Sequence, residues 1–376
     1  MVGLSGRGLH WVRMLGRVHG YEIVAVCDLV ESHIAAAVKL VGDGVATYRS
    51  YDEVLQAGDV DAVCLSVRSP DQGAMSAAAL EAGKHVLAEV PAAHSIEDCW
   101  RIVLAAERTD SVYLLSEQTR YWGFIEQWRK LIAAGELGTI TLCEGQYFHY
   151  YVTKAFRDPK TGADIHPDDL ANHPDATSAW LQDMPPIHYL PHELSPMLKA
   201  LDDRVVRVTA MSTPSPSAMH PALKSPDMQV ALMQTERGAV LRMAVSFAQL
   251  NPPRDNHWYQ IVGTEGIVEW KRTAEGPGLY WRKGQEAMEP RNWSWTRDDA
   301  PAEAADSGHG DADAYPALAF RDAILKGVTP ELDVYAAMDT AAPAILAGDS
   351  IAQGSMPFDV PDFRPSATRA KGQAPG

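Results

Sequence analysis

Val2-Gly3-Leu4-Ser5-Gly6-Arg7-Gly8-Leu9, followed by the run Glu22-Ile23-Val24-Ala25-Val26-Cys27-Asp28, decides the fold. Gly3 to Gly8 fits the pattern G-x-G-x-x-G with Ser5 in place of the second glycine. Such a turn lets the backbone reverse tightly and approach a pyrophosphate closely. It also aims a helix N-terminus at the phosphate charge. Leu9 to Leu15 reads as that helix. Asp28 closes a β-branched run about 20 residues past Gly8, where an acid binds the ribose hydroxyls of a dinucleotide. No arginine follows it within several residues to receive a 2′-phosphate, so NAD is favoured over NADP. The residues expected to hold NAD are therefore Gly3, Ser5, Gly6, Arg7, Gly8 and Asp28. The alternative is an ordinary strand–helix turn with a solvated aspartate. The strand–turn–helix–strand–Asp order speaks against it. Only Met1 and Val2 precede the turn, whereas a central strand usually spans about five residues. Either the first strand is short or the true start lies upstream.

Outward from that turn, short apolar runs alternate with helical stretches. Ser32–Leu40, Ala74–Ala82 and the segment from Ser95 to about Glu107 read as helices; Asp61–Val67, Lys84–Ala88 and Val112–Leu115 read as strands. Ser95 is placed to cap its helix, with Asp98 at the capping-box position. This alternation builds a parallel sheet with helices on both faces. The pattern changes after about Glu117. Trp122–Ala134 reads as a helix stopped by Gly135. Thr139–Tyr151 alternates as a half-buried antiparallel strand. Val205–Ser212, Gln229–Thr235, Ala239–Phe247 and Tyr259–Val262 supply further strands, with Glu236-Arg237-Gly238 as a hairpin turn. Residues 157–186 are rich in Asp, Pro and His and show little periodicity, which predicts a functional or mobile loop. Asp313–Lys326 and Val334–Gly348 read as helices, and 364–376 as a disordered tail.

Composition narrows the partners. With 33 Lys and Arg against 49 Asp and Glu, the net charge of −16 argues against nucleic acid or an anionic membrane. No apolar run of about 18 residues is present, so no membrane span is expected. Cys27, Cys64, Cys99 and Cys143 form no Cys-x-x-Cys pair and read as buried free thiols of a cytoplasmic protein.

Ala82-Gly83-Lys84-His85-Val86-Leu87-Ala88-Glu89-Val90-Pro91 is the most telling stretch. It resembles the A-G-K-H-V-x-x-E-K-P segment of the Gfo/Idh/MocA oxidoreductase family. The glycine turn, Asp28, Gly135-x-Leu137-Gly138 and Gly263-Thr264-Glu265-Gly266 extend the resemblance over nearly the whole chain. The resemblance implies a Rossmann domain (1–117) followed by an α/β domain (118–363) with a large open, mainly antiparallel sheet, the substrate lying between them. It also implies that Glu89 contacts ribose, with Pro91 beside it. Val90 departs from the family's lysine, and valine neither polarises an alcohol nor relays its proton.

A narrower resemblance accounts for that departure. Glu89-Val90-Pro91-Ala92-Ala93, Glu117-x-x-x-Tyr121, Gly145-x-Tyr147-x-His149, Tyr189-Leu190-Pro191-His192-Glu193-Leu194-Ser195-Pro196 and Gly308-His309-Gly310 are similar to the NAD-dependent α-N-acetylgalactosaminidase branch of glycoside hydrolases. Leu190-Pro191 and the 157–186 segment depart from its pattern.

This resemblance implies redox-assisted cleavage, outside the two-carboxylate mechanism. Carbon 3 of the sugar is oxidised, carbon 2 loses its now acidic proton, and the aglycone leaves carbon 1. Water then adds and the ketone is reduced. His192 is the candidate for the carbon 3 proton, since neutral imidazole suits pH 7. Tyr147 is the candidate carbon 2 base. With an ordinary pKa near 10 it needs a cation or the nicotinamide charge nearby. Tyr189 and Glu117 complete the catalytic set, and Tyr121, His149, His188 and Trp180 are candidate substrate contacts. His188 and His192 stand at i, i+4, but Pro191 lies between them and no metal is expected. The expected partners are a small sugar or glycoside and a second copy of the chain, as homodimer or homotetramer, to cover the open sheet. A net sugar or cyclitol dehydrogenase or carbon 3 oxidoreductase, and a non-catalytic sugar or nucleotide sensor, are the alternatives.

Overall fold

The computed structural model describes residues 1–250 and 256–375. The chain forms two compact units. One comprises Met1–Gln118, Ala300–Asp339 and Asp362–Gly376; the other comprises Thr119–Asp299 and Thr340–Pro361.

The first unit opens with α1 (Gly6–Arg17), β1 (Ala25–Cys27), α2 (Glu31–Val41), β2 (Ala46–Tyr48), α3 (Tyr51–Gln56) and β3 (Ala62–Leu65). It continues with α4 (Ser69–Glu81), β4 (His85–Ala88), α5 (Ile96–Arg108) and β5 (Tyr113–Leu115). β1 pairs with β2, and β3 with β4 and β5, all in parallel. Val2 joins the two ladders through parallel bridges to Cys27 and Leu65. The order β2-β1-Val2-β3-β4-β5 is that of a Rossmann sheet. The short first strand thus still closes the ladder: Val2 N–H donates to Cys64 O and Ser66 N–H donates to Val2 O, both at 2.9 Å. The Ser95 hydroxyl accepts from Asp98 N–H at 3.1 Å, as its capping position requires. β2 and α3 were not evident in the sequence, because each is short and only part-buried. All four cysteines are free and buried.

In the second unit, α6 (Gly123–Ala133) and β6 (Ile140–Phe148) precede the segment expected as a loop. That segment is folded. β7 (Phe156–Arg157) pairs antiparallel with both β8 (Asp164–Ile165) and β9 (Thr177–Ser178), with 3-10 turns at Pro167–Asn172, Trp180–Gln182 and Pro186–Tyr189. Two-residue strands leave no periodicity to detect. There follow α7 (Pro191–Leu201), β10 (Val205–Ser212), β11 (Gln229–Thr235), β12 (Val240–Ser246), β13 (His257–Gly263), β14 (Gly266–Glu269), β15 (Gly278–Arg282) and β16 (Glu289–Arg291). Every residue of α7 is buried, so its polar members need partners. Ser195 Oγ accepts from Arg120 at 3.0 Å, and Lys199 Nζ lies 3.7 Å from Glu126.

The remaining elements are α8 (Ala314–Lys326), α9 (Val334–Ala352) and β17 (Phe358–Asp359). β17 pairs with β10 and completes a nine-stranded sheet of order β16-β15-β14-β13-β6-β12-β11-β10-β17. Only the β6–β12 pair is parallel, so the sheet is mainly antiparallel as expected. Two boundaries differ from the linear division at 117 and 363. Ala314, Ala317 and Phe320 of α8 share one core with Trp11, Leu15 and Val18, which returns that helix to the first unit.

The tail differs as well. Residues 364–375 are docked rather than disordered. Arg369 donates twice to Glu107 of α5, at 2.7 and 2.8 Å; Gly372 N–H donates to the same carboxylate at 2.6 Å. Among the described residues, no helix is long and apolar enough to cross a membrane.

Candidate active site

In the first unit the glycine turn is shaped by close contacts. A Cβ at Gly3 would lie 2.1 Å from Ser66 O, and one at Gly8 would lie 1.9 Å from Gly3 O. Both positions therefore exclude side chains. Around Gly6 nothing lies within 4 Å of such an atom, so the turn is open on that side. Ser5 is the N-cap of α1 in extended conformation, with no side-chain capping bond, and the first turn of α1 carries no acid. Asp28 is fixed at the end of β1: its oxygens accept from Leu4 N–H at 2.6 Å and Val30 N–H at 2.8 Å. An open helix N-terminus beside an oriented carboxylate suits the pyrophosphate and ribose of NAD.

Arg7 and Glu89 pair with each other. Glu89 Oε1 accepts from Arg7 Nε at 2.7 Å and from the Trp11 indole, and Oε2 accepts from Val90 N–H at 3.3 Å. The carboxylate is thus held by protein donors, as that of Asp28 is by Leu4 and Val30. Pro91 is buried in the segment that follows.

The rest of the Arg7 guanidinium reaches Asp313, at 2.9 and 3.0 Å. Asp313 also lies 2.9 Å from His10 Nε2 and from His309 Nδ1. Burial alone would raise the Asp313 carboxyl, but bonds from His10, His309 and Arg7 outweigh it and hold the group well below the usual carboxylate range. No partner for Asp313 is expected from the sequence. The junction is marked by Gly308-His309-Gly310, in which all three residues take positive φ. Glu117 is fully buried just past β5, at the strand end of a parallel sheet where ligands gather.

In the second unit the structure brings Tyr147, His149, Trp180, Tyr189 and His192 together. β6 carries Tyr147, with His149 just beyond its end. Tyr189 ends a 3-10 turn, and His192 follows Pro191 in the first turn of α7. The Tyr147 ring stacks on His149 at 4.3 Å and on His192 at 5.4 Å between centroids. Tyr189 meets Tyr147 edge-on at 5.3 Å, and Trp180 lies 5.1 Å from Tyr189. The His192 carbonyl is locked by donors from Thr119 Oγ1 at 2.8 Å and Tyr259 OH at 2.9 Å. The hydroxyls of Tyr147 and Tyr151 are 3.4 Å apart. Burial pushes the Tyr147 phenol well above its ordinary value, and Tyr151, Tyr189 and the Glu193 charge add to the rise.

Tyr121 and His188 occupy other surroundings. Lys199 Nζ lies 5.1 Å over the Tyr121 ring, a cation–π contact. His188 is buried against α9, where a Cβ at Gly348 would lie 2.6 Å from its Nε2. Sequence reasoning missed Glu193 and His257. Glu193 Oε1 lies 2.6 Å from His257 Nδ1, and His257 stands opposite Tyr147 in the β6–β13 register. The expected strand began two residues late, at Tyr259, and so left His257 in a loop. Among the described residues no three His, Cys, Asp or Glu side chains gather as a metal site.

Comparison with known proteins accords with this geometry. Residues 1–117 match the family described as "Oxidoreductase family, NAD-binding Rossmann fold", and 130–370 match "Glycosyl hydrolase 109, C-terminal domain". A glycosyl hydrolase family 109 protein of Saccharopolyspora erythraea is 25% identical, covering 100% of this chain and 84% of its own length. An alpha-N-acetylgalactosaminidase of Bacteroides fragilis is 24% identical, covering 96% and 90%. An oxidoreductase of Agrobacterium radiobacter, crystallised with NAD+, L-tartaric acid and magnesium, shares the fold. It has a TM-score of 0.71 at 18% identity, covering 95% of this chain and 96% of its own.

Proposed function

The chain belongs to the glycosyl hydrolase 109 family, with an NAD-binding Rossmann domain of the Gfo/Idh/MocA oxidoreductases, and from that premise we propose that it cleaves a glycoside by a transient redox step at carbon 3. The stacked, buried Tyr147–His192 pair carries this reading. Bound NAD supplies reversible hydride acceptance, so that carbon 3 of the sugar becomes a ketone and is later restored.

The chain's residues handle the protons. Gly3, Ser5, Gly6, Gly8 and Asp28 hold the cofactor. His192 takes the proton of the carbon 3 hydroxyl and returns it. Tyr147 removes the proton from carbon 2, and the aglycone leaves carbon 1. Tyr189 assists water at carbon 1, while His149 and Trp180 contact the sugar. Glu117 binds a hydroxyl or tunes a neighbour. Val90, buried and aliphatic, takes no part in proton transfer. Met211, Leu232 and Val240 are exposed on one face of the sheet, which supports cover by a second copy in a homo-oligomer.

The test is incubation of purified protein with paired α and β nitrophenyl glycosides, N-acetylgalactosaminides included, without added cofactor. Nitrophenolate released over many turnovers with no NADH accumulation is expected. NADH formed one for one with substrate, without release, would assign a net sugar dehydrogenase instead.

A further inference from the structure

Glu193 and His257 form a second device in the second unit, and nothing in the proton assignments above uses them. The Glu193 side chain is fully buried, and that of His257 is 13% exposed. A buried carboxylate is costly unless a charged partner or several donors compensate it. The 2.6 Å contact between Glu193 Oε1 and His257 Nδ1 has the length of a charge-assisted hydrogen bond. Room for the carboxylate comes from Gly145 of β6: a Cβ there would lie 3.1 Å from Glu193 Cβ and 3.6 Å from Oε2. The His257 ring meets Tyr147 edge-on at 5.0 Å, His149 at 5.7 Å and His192 at 6.3 Å. Tyr259 OH lies 3.3 Å from His257 Nδ1 and fixes the ring from the same strand.

We propose that Glu193 and His257 are a compensating charge pair beneath Tyr147. The His257 imidazolium offsets the buried carboxylate, so that Glu193 raises the Tyr147 phenol less than it would without its partner. Both are positioning residues, acting on substrate only through Tyr147. The proposal rests on the reading of Tyr147 as the carbon 2 base. The groups that face Tyr147 are His149 and Tyr151 beyond β6, Tyr189 from the 3-10 turn, His192 and Glu193 from α7, and His257 from β13. Glu193 supplies the negative charge in this set and His257 the matching positive charge. Removing the imidazole takes a positive charge from beside the carboxylate, so that Glu193 opposes a second negative charge on the phenol more strongly.

The test compares His257→Gln, Glu193→Gln and the double substitution. The first readout is the acid limb of the kcat/KM pH profile. The second is ultraviolet titration of tyrosinate, with Tyr147→Phe as the reference. His257→Gln is expected to move the midpoint upward by about one to two pH units. Glu193→Gln, which loses both charges together, leaves it within about half a unit, and the double substitution restores the wild-type midpoint. A merely structural role predicts a double variant no better than His257→Gln. An unshifted His257→Gln profile, a downward shift in Glu193→Gln, or a double variant that fails to restore the midpoint would each overturn the proposal. The tyrosinate titration needs no substrate and separates the two readings. If it shows the pattern but no glycoside is cleaved, the pair stands and the assigned reaction falls. If glycosides are cleaved without the pattern, the pair falls alone.

Discussion

Replacing Tyr147 by Phe removes one oxygen from the stacked rings and leaves the contacts with His149, His192, Tyr189 and Phe247 in place. The stability cost follows from the hydroxyl. Its contact with Tyr151 is long, at 3.4 Å, and such a bond contributes at most about 1 kcal/mol. Phenylalanine also relieves the desolvation of a buried hydroxyl, which offsets part of that loss. Tyr147→Phe is therefore expected to melt within about 4 °C of the wild type. The catalytic cost is larger. Loss of a positioned general base lowers the rate by about 10²- to 10⁴-fold, or about 2.7–5.4 kcal/mol at 1.36 per tenfold. Three assays are required together: nitrophenolate release, thermal melting, and deuterium incorporation at carbon 2 in heavy water. The expected result is loss of both release and exchange in a protein that melts normally. Release within tenfold of the wild type would refute the assignment. So would a melting loss comparable with the loss of rate, because Tyr147 would then be a packing residue.

Four further outcomes follow from the geometry. Arg369→Met leaves Glu107 buried without its main partner and should cost about 3 kcal/mol by thermal melting; Glu107→Gln in addition should recover most of it. Burial raises the Glu107 carboxyl, but Arg369, Gly372 N–H and Tyr335 pull it down to about 2. This depressed value means that its contribution is complete above an unfolded pKa of about 4.3. The contribution fades as pH falls through about 2, which acid melting of the wild type against the double variant checks. Asp28→Ala should weaken NAD binding at least tenfold, on the order of 1.4 kcal/mol, measured by fluorescence titration of the nucleotide. Trp180→Ala should raise KM about tenfold with kcat nearly unchanged, because it removes a stacking wall and no proton carrier.

The legible part of this molecule is the part with strong local signals. The glycine turn, Asp28 and the Ser95 cap could be read because each position has a single physical demand: a positive φ, an acid at a strand end, an oxygen for free N–H groups. The long strands of the sheet could be read from alternation. What was hidden depends on partners distant in sequence. Arg369 reads as part of a polar tail until Glu107, remote along the chain, gives it a reason to be ordered. Asp313 reads as a helix start until Arg7 and His10 converge on it from α1. Glu193 stood inside a motif quoted for its histidine, and His257 fell just outside the expected strand. Only the β6–β13 register brings His257 to Tyr147.

Val90 ties these observations together. Lysine at this position would place an ammonium in a site where the valine is 8% exposed, next to the Glu89 carboxylate. That carboxylate is paired with Arg7 and supported by Trp11, while the same guanidinium also serves Asp313. An ammonium at position 90 would have to be desolvated in a buried place that valine fills without that cost. On the proposed reading the carbon 3 proton then goes to His192, whose backbone carbonyl is locked by Thr119 and Tyr259 and whose ring is stacked on Tyr147, the fixed orientation that such a transfer demands.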